Sequence, residues 1–171
     1  MRHFLVILFI SFILQAKGQA FVTYKDTINK FSINIPVDWK YGINKSYPDM
    51  VLLGYRIPSS KTDTSRDNFN IHKIKENKTL EESFADVLFN LTELKDYKLV
   101  ENGEKSFNGS KFKFLIQTHT NDYAPLKMYN YDFVGVKNGT TYILTMVTQS
   151  FAFDRLKPVF DQIAASFVLL D

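Results

Sequence analysis

Alternating apolar and polar positions in the first half of the chain predict short β-strands. Phe31, Ile33 and Ile35 are separated by polar residues, which is the pattern of a strand with one buried face. The strands predicted in this half are 22–28, 31–36, 50–57 and 69–74. Residues 58–68 are rich in Ser, Thr, Asp and Lys, and they predict the longest surface loop.

The most clearly marked helix begins after Thr79. Thr79 and Glu82 have the spacing of a capping box, in which the threonine hydroxyl accepts from the N3 amide and the glutamate reaches back. Apolar residues then follow at helical spacing, at Leu80, Phe84, Val87, Leu88, Leu91 and Leu94. This spacing predicts a helix of about four turns, and we expect Phe84 and Leu88 to be buried on it.

A second helix is predicted over 154–165, near the end of the chain. Its apolar stripe is Leu156, Val159, Phe160 and Ile163. Pro158 is tolerable in this helix only near the first turn, where its missing N–H costs no hydrogen bond. A short strand over 167–170 is expected to follow.

Between the helices the pattern predicts a four-stranded meander, over 97–106, 111–119, 125–137 and 140–149. Asn108 and Gly109 join the first two strands, and Asn138 and Gly139 join the last two. Asn-Gly between alternating runs is the strongest short hairpin signal, because both central residues must accept a positive φ.

The tight turns also predict which residues face each other. Two-residue loops place Phe133 opposite Leu144 and Glu104 opposite Lys113. If the looser connection over 120–125 pairs symmetrically, Lys113 lies opposite Asp132. We therefore expect the Lys113 side chain to lie between two carboxylates, those of Glu104 and Asp132.

This register divides the meander into two faces. The aromatic face collects Phe112, Phe114, Ile116, Tyr129, Tyr131, Phe133, Tyr142, Leu144 and Met146. The mixed face holds Lys113, Leu115, Gln117, His119, Met128, Asn130, Asp132, Val134, Ile143, Thr145 and Val147. We expect helices to bury the aromatic face, and the mixed face to be partly solvated or partly covered. The predicted fold class is α+β, an antiparallel sheet with helices packed on it.

The first 20 residues have the three-part pattern of a secretory signal peptide. A short basic start is followed by an apolar run over 4–14 and a polar stretch that ends in small residues near Ala20. The run is about half the length that spans a bilayer, so we expect cleavage, a mature chain that starts near Phe21, and no membrane span in it. No linker or repeat divides residues 21–171, which predicts a single domain.

Composition narrows the function classes. Two of the 21 basic residues, Arg2 and Lys17, fall in the leader, which leaves 19 against 18 acidic residues and argues against nucleic acid as a partner. Cysteine is absent, which excludes disulfides and thiolate chemistry. We attribute the five Asn-x-Ser/Thr sequons to the abundance of asparagine and threonine in the chain. They are at Asn44, Asn77, Asn90, Asn108 and Asn138.

Two segments carry a family resemblance. Residues 31–39 (FSINIPVDW), an alternating strand that ends in Pro36 and then Trp39, resemble the opening motif of PsbP-like and DcrB-like domains. Residues 159–167 (VFDQIAASF) are similar to the last helix and edge strand of those domains. The resemblance implies an α/β/α sandwich over nearly the whole mature chain. The superfamily includes an oxygen-evolving-complex subunit, a Ran-binding release factor and exported bacterial proteins. These members share no common set of catalytic residues.

Catalytic and metal-binding patterns are sparse. His72 and His119 lack the spacing of a metal site, and we interpret them as ordinary strand histidines. Asp63 and Asp67, with Asp49, have neither the glycine nor the terminal glutamate of an EF-hand and are interpreted as part of a polar loop. We therefore predict no enzyme activity, no cofactor and no metal site.

The most economical hypothesis is a secreted accessory protein that engages another exported or envelope protein. The alternative is a carrier that holds a small apolar ligand between the aromatic face and a helix. The candidate ligand-binding residues would then be Trp39, Tyr129, Tyr131 and Tyr142, although all four are also typical core residues. A pocket of roughly 300 Å³ on the aromatic face would favour the carrier, and a solid core with an exposed apolar patch would favour the protein partner. A hydrolase with an unrecognised site is a third possibility.

Overall fold

The computed structural model describes residues 19–44, 46–122 and 125–171. It confirms the α+β class, with ten strands and two helices in the described residues. The strands are β1 (Phe21–Asp26), β2 (Phe31–Pro36), β3 (Trp39–Gly42), β4 (Met50–Arg56), β5 (Asn68–Lys75), β6 (Lys98–Phe107), β7 (Ser110–Thr120), β8 (Lys127–Lys137), β9 (Thr140–Gln149) and β10 (Val168–Leu169). The helices are α1 (Leu80–Thr92) and α2 (Phe153–Ala165). Most of the predicted signal peptide, residues 1–18, lies outside the described residues.

The strands form two antiparallel sheets. Seven strands make the main sheet, in the order β3-β4-β5-β9-β8-β7-β6, so β3 and β6 are its edges. Strands β1, β2 and β10 make a small second sheet, which the sequence pattern did not separate from the first. The small sheet and α2 cover one face of the main sheet, and α1 covers part of the other.

The aromatic face is the centre of the core, as expected. Phe112, Phe133 and Leu144 are almost fully buried on it, and they belong to one cluster with Phe31 from the small sheet and Phe160 from α2. Alternate residues of β2, whose other face is half-exposed, supply Phe31, Ile33 and Ile35 to this cluster. The predicted alternation therefore marks a strand that buries one side against α2 and the main sheet.

Helix α1 packs on the mixed face rather than on the aromatic one. Phe84 contacts Leu115 and Val134, which are buried apolar residues of that face, and Leu88 is half-buried beside them. The capping box forms as predicted: the Thr79 hydroxyl accepts from the Glu82 amide at 3.2 Å, and Glu82 Oε2 accepts from the Thr79 amide at 2.8 Å. The apolar stripe of α1 thus matches a small apolar patch within an otherwise polar sheet surface.

The two Asn-Gly turns are confirmed, with positive φ at Asn108, Gly109, Asn138 and Gly139. The β8–β9 and β6–β7 registers follow from them, so that Phe133 faces Leu144 and Glu104 faces Lys113.

The predicted β7–β8 register is wrong by two residues. Lys113 lies opposite Val134, and Asp132 lies opposite Leu115. The connection is two residues longer than assumed, because Thr120 pairs with Lys127 rather than with Pro125 and six residues separate the strands. A shift of two residues keeps every side chain on its predicted face, so the two faces survive the error.

The expectation for Lys113 is corrected accordingly. Its ammonium contacts the carboxylates of Glu104, at 3.8 Å, and of Glu81 on α1. Asp132 lies opposite Leu115 and is not among the ion-pair partners of Lys113 in the described residues. Lys113 therefore joins α1 to the sheet, and the continuous charged row predicted across the strands does not form.

Two further elements differ from the prediction. Trp39 begins a strand, β3, that the sequence pattern did not indicate. Helix α2 starts at Phe153, so Pro158 stands in its second turn rather than its first. Pro158 is exposed, as is Asp154, whose carbonyl would accept from residue 158 if that residue had an N–H.

Candidate functional site

The candidate ligand residues on the aromatic face are packed against the protein's own side chains. Tyr131 and Tyr142 are 1% and 3% exposed, and Tyr129 stacks on Phe153 with a centroid distance of 4.3 Å. Trp39 lies on β3, separated from the tyrosine-bearing strands by β4 and β5, and stacks on Phe69 at 6.1 Å. The structure therefore brings the three tyrosines onto neighbouring strands but leaves Trp39 apart from them.

The hydroxyls of the two buried tyrosines have partners within the chain. The Tyr142 hydroxyl donates to the Asn29 carbonyl at 2.9 Å. The Tyr131 hydroxyl accepts from Lys105 at 2.7 Å and donates to Asp161 at 3.2 Å. Burial and the neighbouring Asp161 carboxylate raise the pKa of Tyr131, so this phenol stays neutral at physiological pH.

One group of exposed apolar side chains lies at the edge strand β3. Tyr41, Ile43 and Tyr55 are 46%, 62% and 44% exposed, and with Leu53 they line a groove of about 320 Å³. We call these four residues the β3 surface. The antiparallel β3–β4 pairing builds it, because Gly42 faces Leu53 and leaves open space beside the strand. Tyr47, 56% exposed, follows in the next turn.

The loop between β4 and β5 is anchored rather than loosely solvated. The Arg56 guanidinium binds both oxygens of Asp63, at 2.6 and 2.8 Å, and its Nε binds Asp67 at 2.5 Å. Asp63 also accepts from the backbone amides of Ser59 and Ser65. These hydrogen bonds from Arg56 and Ser59 lower the pKa of Asp63 well below its usual range. Asp63 and Asp67, which lack the sequence pattern of a calcium-binding loop, therefore anchor this loop through Arg56.

The same loop forms a basic pocket beside the β3 surface. The pocket has a volume of about 520 Å³, and its lining includes Tyr55, Lys61, Arg66 and Asn68. Asp67 is also part of the lining, but its carboxylate is occupied by Arg56, Ser65 and Thr148. Within the described ranges no carboxylate forms an ion pair with Lys61, Arg66 or Lys40, which stands opposite Tyr55 on β3. The pocket is thus positively charged.

The histidines do not form a site together. His72 is on β5 and His119 is on β7, with β9 and β8 between them. Both are half-buried, and burial lowers the pKa of each. Among the residues that the structure describes, no group of three or more His, Cys, Asp or Glu side chains could hold a metal ion.

A polar cluster that sequence reasoning missed lies on the mixed face, beside α1. Asp132 is 2% exposed; Thr145 donates to its Oδ1 at 2.5 Å, and its Oδ2 has no partner among the described residues. Burial raises the pKa of Asp132 to about 7. The side chains of Asn130 and Gln117 also each leave one buried atom unpaired. The sequence pattern places these residues together on the mixed face, but it carries no signal for their burial, which depends on what packs on that face.

The similarity to known proteins identifies the family. The PsbP family model matches residues 19–169, which is nearly the whole described chain. The chain belongs to the PsbP family. The predicted resemblance is thereby confirmed. A search of curated protein sequences finds no match.

Solved structures of PsbP-like fold agree with this assignment. The solution structure of cyanobacterial PsbP (CyanoP) from Synechocystis sp. PCC 6803 superposes with a TM-score of 0.64 at 15% identity, covering 91% of this chain and 95% of that one. PA94 of Pseudomonas aeruginosa, a protein of unknown function, gives a TM-score of 0.62 at 15% identity, over 88% and 98% of the two chains. LpqN of Mycobacterium tuberculosis is involved in cell envelope biogenesis. Its crystal structure gives a TM-score of 0.59 at 10% identity and covers 92% of this chain and 88% of LpqN. At these identities the likeness shows the fold.

No helix among the described residues is long and apolar enough to cross a membrane.

Proposed function

We propose that this PsbP-family protein is a non-enzymatic accessory protein that binds another exported or envelope protein. The observation that carries the proposal is the contrast between a closed aromatic core and an exposed apolar edge. Phe133 and Tyr131 are each 1% exposed, whereas Tyr41 and Ile43 are 46% and 62% exposed on the β3 surface. Contiguous exposed apolar area of this kind marks interaction sites on soluble proteins.

The residue types of the β3 surface suit a protein partner. Tyr41 and Tyr55 offer a large apolar ring and a polar hydroxyl at a small cost in side-chain entropy, and tyrosine is enriched at protein interfaces. The strand that carries Tyr41 is held rigidly, because Trp39 at its start is buried and stacked on Phe69. A fixed aromatic surface binds without having to be ordered first.

The carrier alternative has less support. A carrier needs space between the aromatic face and a helix, and the rings on that face pack on one another. Phe114 and Tyr131 have ring centroids 5.9 Å apart, and those of Tyr131 and Phe133 are 4.7 Å apart. The open volumes near the β3 surface lie outside the core.

Export is part of the proposal. The sequence pattern of residues 1–20 predicts a cleaved signal peptide. The involvement of LpqN in cell envelope biogenesis supports a location outside the cytoplasm for a protein of the same fold. Partners of the β3 surface would then be found among exported and envelope proteins.

Site-specific photo-cross-linking in the producing cells tests the proposal. A benzophenone amino acid at position 47, next to the β3 surface, is expected to give one discrete adduct with another protein. The matched control carries the same group at position 151, since Phe151 is 72% exposed and lies after β9. The double variant Ile43→Ser/Tyr55→Ala should remove the adduct. Equal adducts at both positions, or none at position 47, would refute the proposal.

A further inference from the structure

We propose that the partner presents an extended acidic segment, which pairs with β3 as an additional strand of the main sheet and places its carboxylates toward the basic pocket. This inference rests on the proposed function and specifies the chemistry of the partner at the same surface. Three observations carry it: the open edge of β3, the groove along it and the charge of the adjoining pocket.

The two edges of the main sheet are protected differently. Strand β6 carries Lys98, Glu101, Glu104 and Lys105, and a bulge interrupts its pairing with β7 between Leu99 and Glu101. Charges and bulges of this kind block the addition of a further strand. Edge β6 is therefore guarded against edge-to-edge pairing.

Strand β3 is less protected: it is short and carries one lysine, but no bulge interrupts its pairing with β4. Within the described residues it pairs with β4 alone, and Lys40 is its single charged residue. Its outward-facing N–H and C=O groups are free to pair, because an edge strand uses only half of them in its own sheet. The strand has four residues, so it accepts a short extended segment of similar length.

Side chains of an added strand would point alternately to the two sides of the sheet. On both sides of β3 there is apolar area: Tyr41 points to one side and Tyr55, opposite Lys40, to the other, and both line the same groove. Apolar side chains at alternate positions of the segment can therefore pack against Tyr41, on the side of the sheet away from Lys40. The remaining positions face the Lys40 side.

The positive charge near Tyr55 favours acidic residues at the positions of the added segment that face the Lys40 side. Tyr55 is shared by the groove and the basic pocket, so the two are continuous. Arg56 pairs with both Asp63 and Asp67 but balances only one of their two negative charges. Lys61 and Arg66, which form no ion pair among the described residues, give the lining three cations against two carboxylates. Arginine suits this task, because its planar guanidinium binds a carboxylate through two parallel hydrogen bonds. Lys40 adds a third cation at the same edge.

A second copy of the chain fits this surface poorly. Pairing of β3 with β3 of another copy would bring the cations Lys40, Lys61 and Arg66 of both copies together. Like charges placed opposite each other oppose association. The charge pattern therefore favours a partner of opposite sign.

Fluorescence anisotropy with designed peptides tests the inference. The probe is a labelled heptapeptide that alternates Glu with Val and Tyr. Three matched probes replace Glu by Gln, replace Glu by Lys, or carry N-methyl groups on alternate backbone amides. We expect the acidic probe to bind, with an affinity that falls as salt is raised. The lysine and N-methylated probes should bind at least about tenfold more weakly, and the Gln probe in between.

Variants locate the binding. Lys61→Ala/Arg66→Ala should weaken the acidic probe by about tenfold or more and leave the Gln probe unchanged. The control Lys98→Ala/Lys127→Ala removes two exposed lysines elsewhere, which have no ion-pair partner among the described residues, and should change neither. Equal binding of the lysine probe, equal binding of the N-methylated probe, or dimerisation through β3 in sedimentation would overturn the inference.

The two proposals can fail separately. A cross-link at position 47 to a protein whose linked segment is helical or basic would overturn the acidic strand and leave the proposed function intact. Absence of any position-specific cross-link would refute the proposed function itself.

Discussion

Thr145 donates its hydroxyl hydrogen to Oδ1 of Asp132, across β8 and β9, with an oxygen–oxygen distance of 2.5 Å. Oδ2 of the same carboxyl is buried and has no partner in the described part of the chain. A lone neutral hydrogen bond does not compensate a buried negative charge, so the protonated acid is the favoured form there. We therefore expect Asp132 to couple the folding of the chain to pH.

The first prediction concerns this coupling. Burial raises the Asp132 pKa from 3.8 to about 7. Between these two pH values the folded state still holds the proton, whereas the unfolded state has released it. The contribution of Asp132 to the free energy of unfolding should therefore fall as pH rises from about 4 to about 7, and level off above that. Asp132→Asn mimics the neutral acid and removes this slope.

Urea unfolding of the wild type and Asp132→Asn across that range is the measurement. The difference between the two proteins isolates Asp132, because the other titrating groups are common to both. His72 and His119 contribute with the opposite sign, since burial lowers their pKa and they gain stability as pH rises. Parallel stability curves for the two proteins would show that Asp132 is not coupled to folding.

The second prediction concerns the anchor of the loop between β4 and β5. Arg56→Met should lower the free energy of unfolding by about 3–5 kcal/mol, because it leaves the carboxylate of Asp67, which is 1% exposed, without its cation. Chemical denaturation measures the loss. Arg66→Met is the control, since Arg66 is exposed and should change stability little. A loss below about 1 kcal/mol for Arg56→Met would contradict the anchor.

The third prediction concerns the packing of α1. Phe84→Ala should cost about 3 kcal/mol of unfolding free energy, because Phe84 fills the contact with Leu115 and Val134. Leu88→Ala should cost less, since Leu88 is half-buried. Phe89 is 70% exposed on the same helix, so Phe89→Ala serves as the matched control. Similar losses for Phe84 and Phe89 would mean that α1 does not pack in this orientation.

The fourth prediction concerns the β8–β9 turn. Gly139 has φ of 71°, and an added Cβ would lie 2.5 Å from Asn77 Oδ1. Gly139→Ala should therefore destabilise the protein by about 1–2 kcal/mol. Gly42→Ala is the comparison, because a Cβ at Gly42 meets nothing within 4 Å. Thermal unfolding of both variants measures the difference. Equal melting temperatures for Gly139→Ala and Gly42→Ala would contradict the positive φ at Gly139.

The fifth prediction concerns the leader. Intact mass measurement of the protein recovered outside the cytoplasm should give a chain that begins near Phe21, since small residues precede that position at signal-peptidase spacing. Detection of Met1 or of the apolar run over 4–14 in that fraction would show that the leader is retained.

The sequence predicted what local chemistry determines. The Asn-Gly turns set two of the three meander registers, and the capping box placed the start of α1 at the observed residue. The β7–β8 register was missed, because its loop after Thr120 has no turn signal that fixes its length. The alternation of the strands still assigned the faces correctly, since it does not depend on which residues lie opposite each other.

The candidate site was less predictable. Tyr41 and Tyr55 have no spacing that distinguishes them from core tyrosines such as Tyr131. Their exposure follows from the position of β3 at the sheet edge, which is a property of the strand order. The positive charge of the basic pocket likewise depends on Arg56 meeting Asp63 and Asp67 in space, and the overall charge of the chain gives no hint of it.

The stacking of Trp39 on Phe69 gives the protein an intrinsic optical reporter. Trp39 is the sole tryptophan of the sequence, and it stands at the start of the edge strand beside the β3 surface. Its ultraviolet emission therefore comes from one environment, and we expect a partner that docks along β3 to change that emission. The natural chain can be titrated with any candidate partner that lacks tryptophan, without attaching a dye.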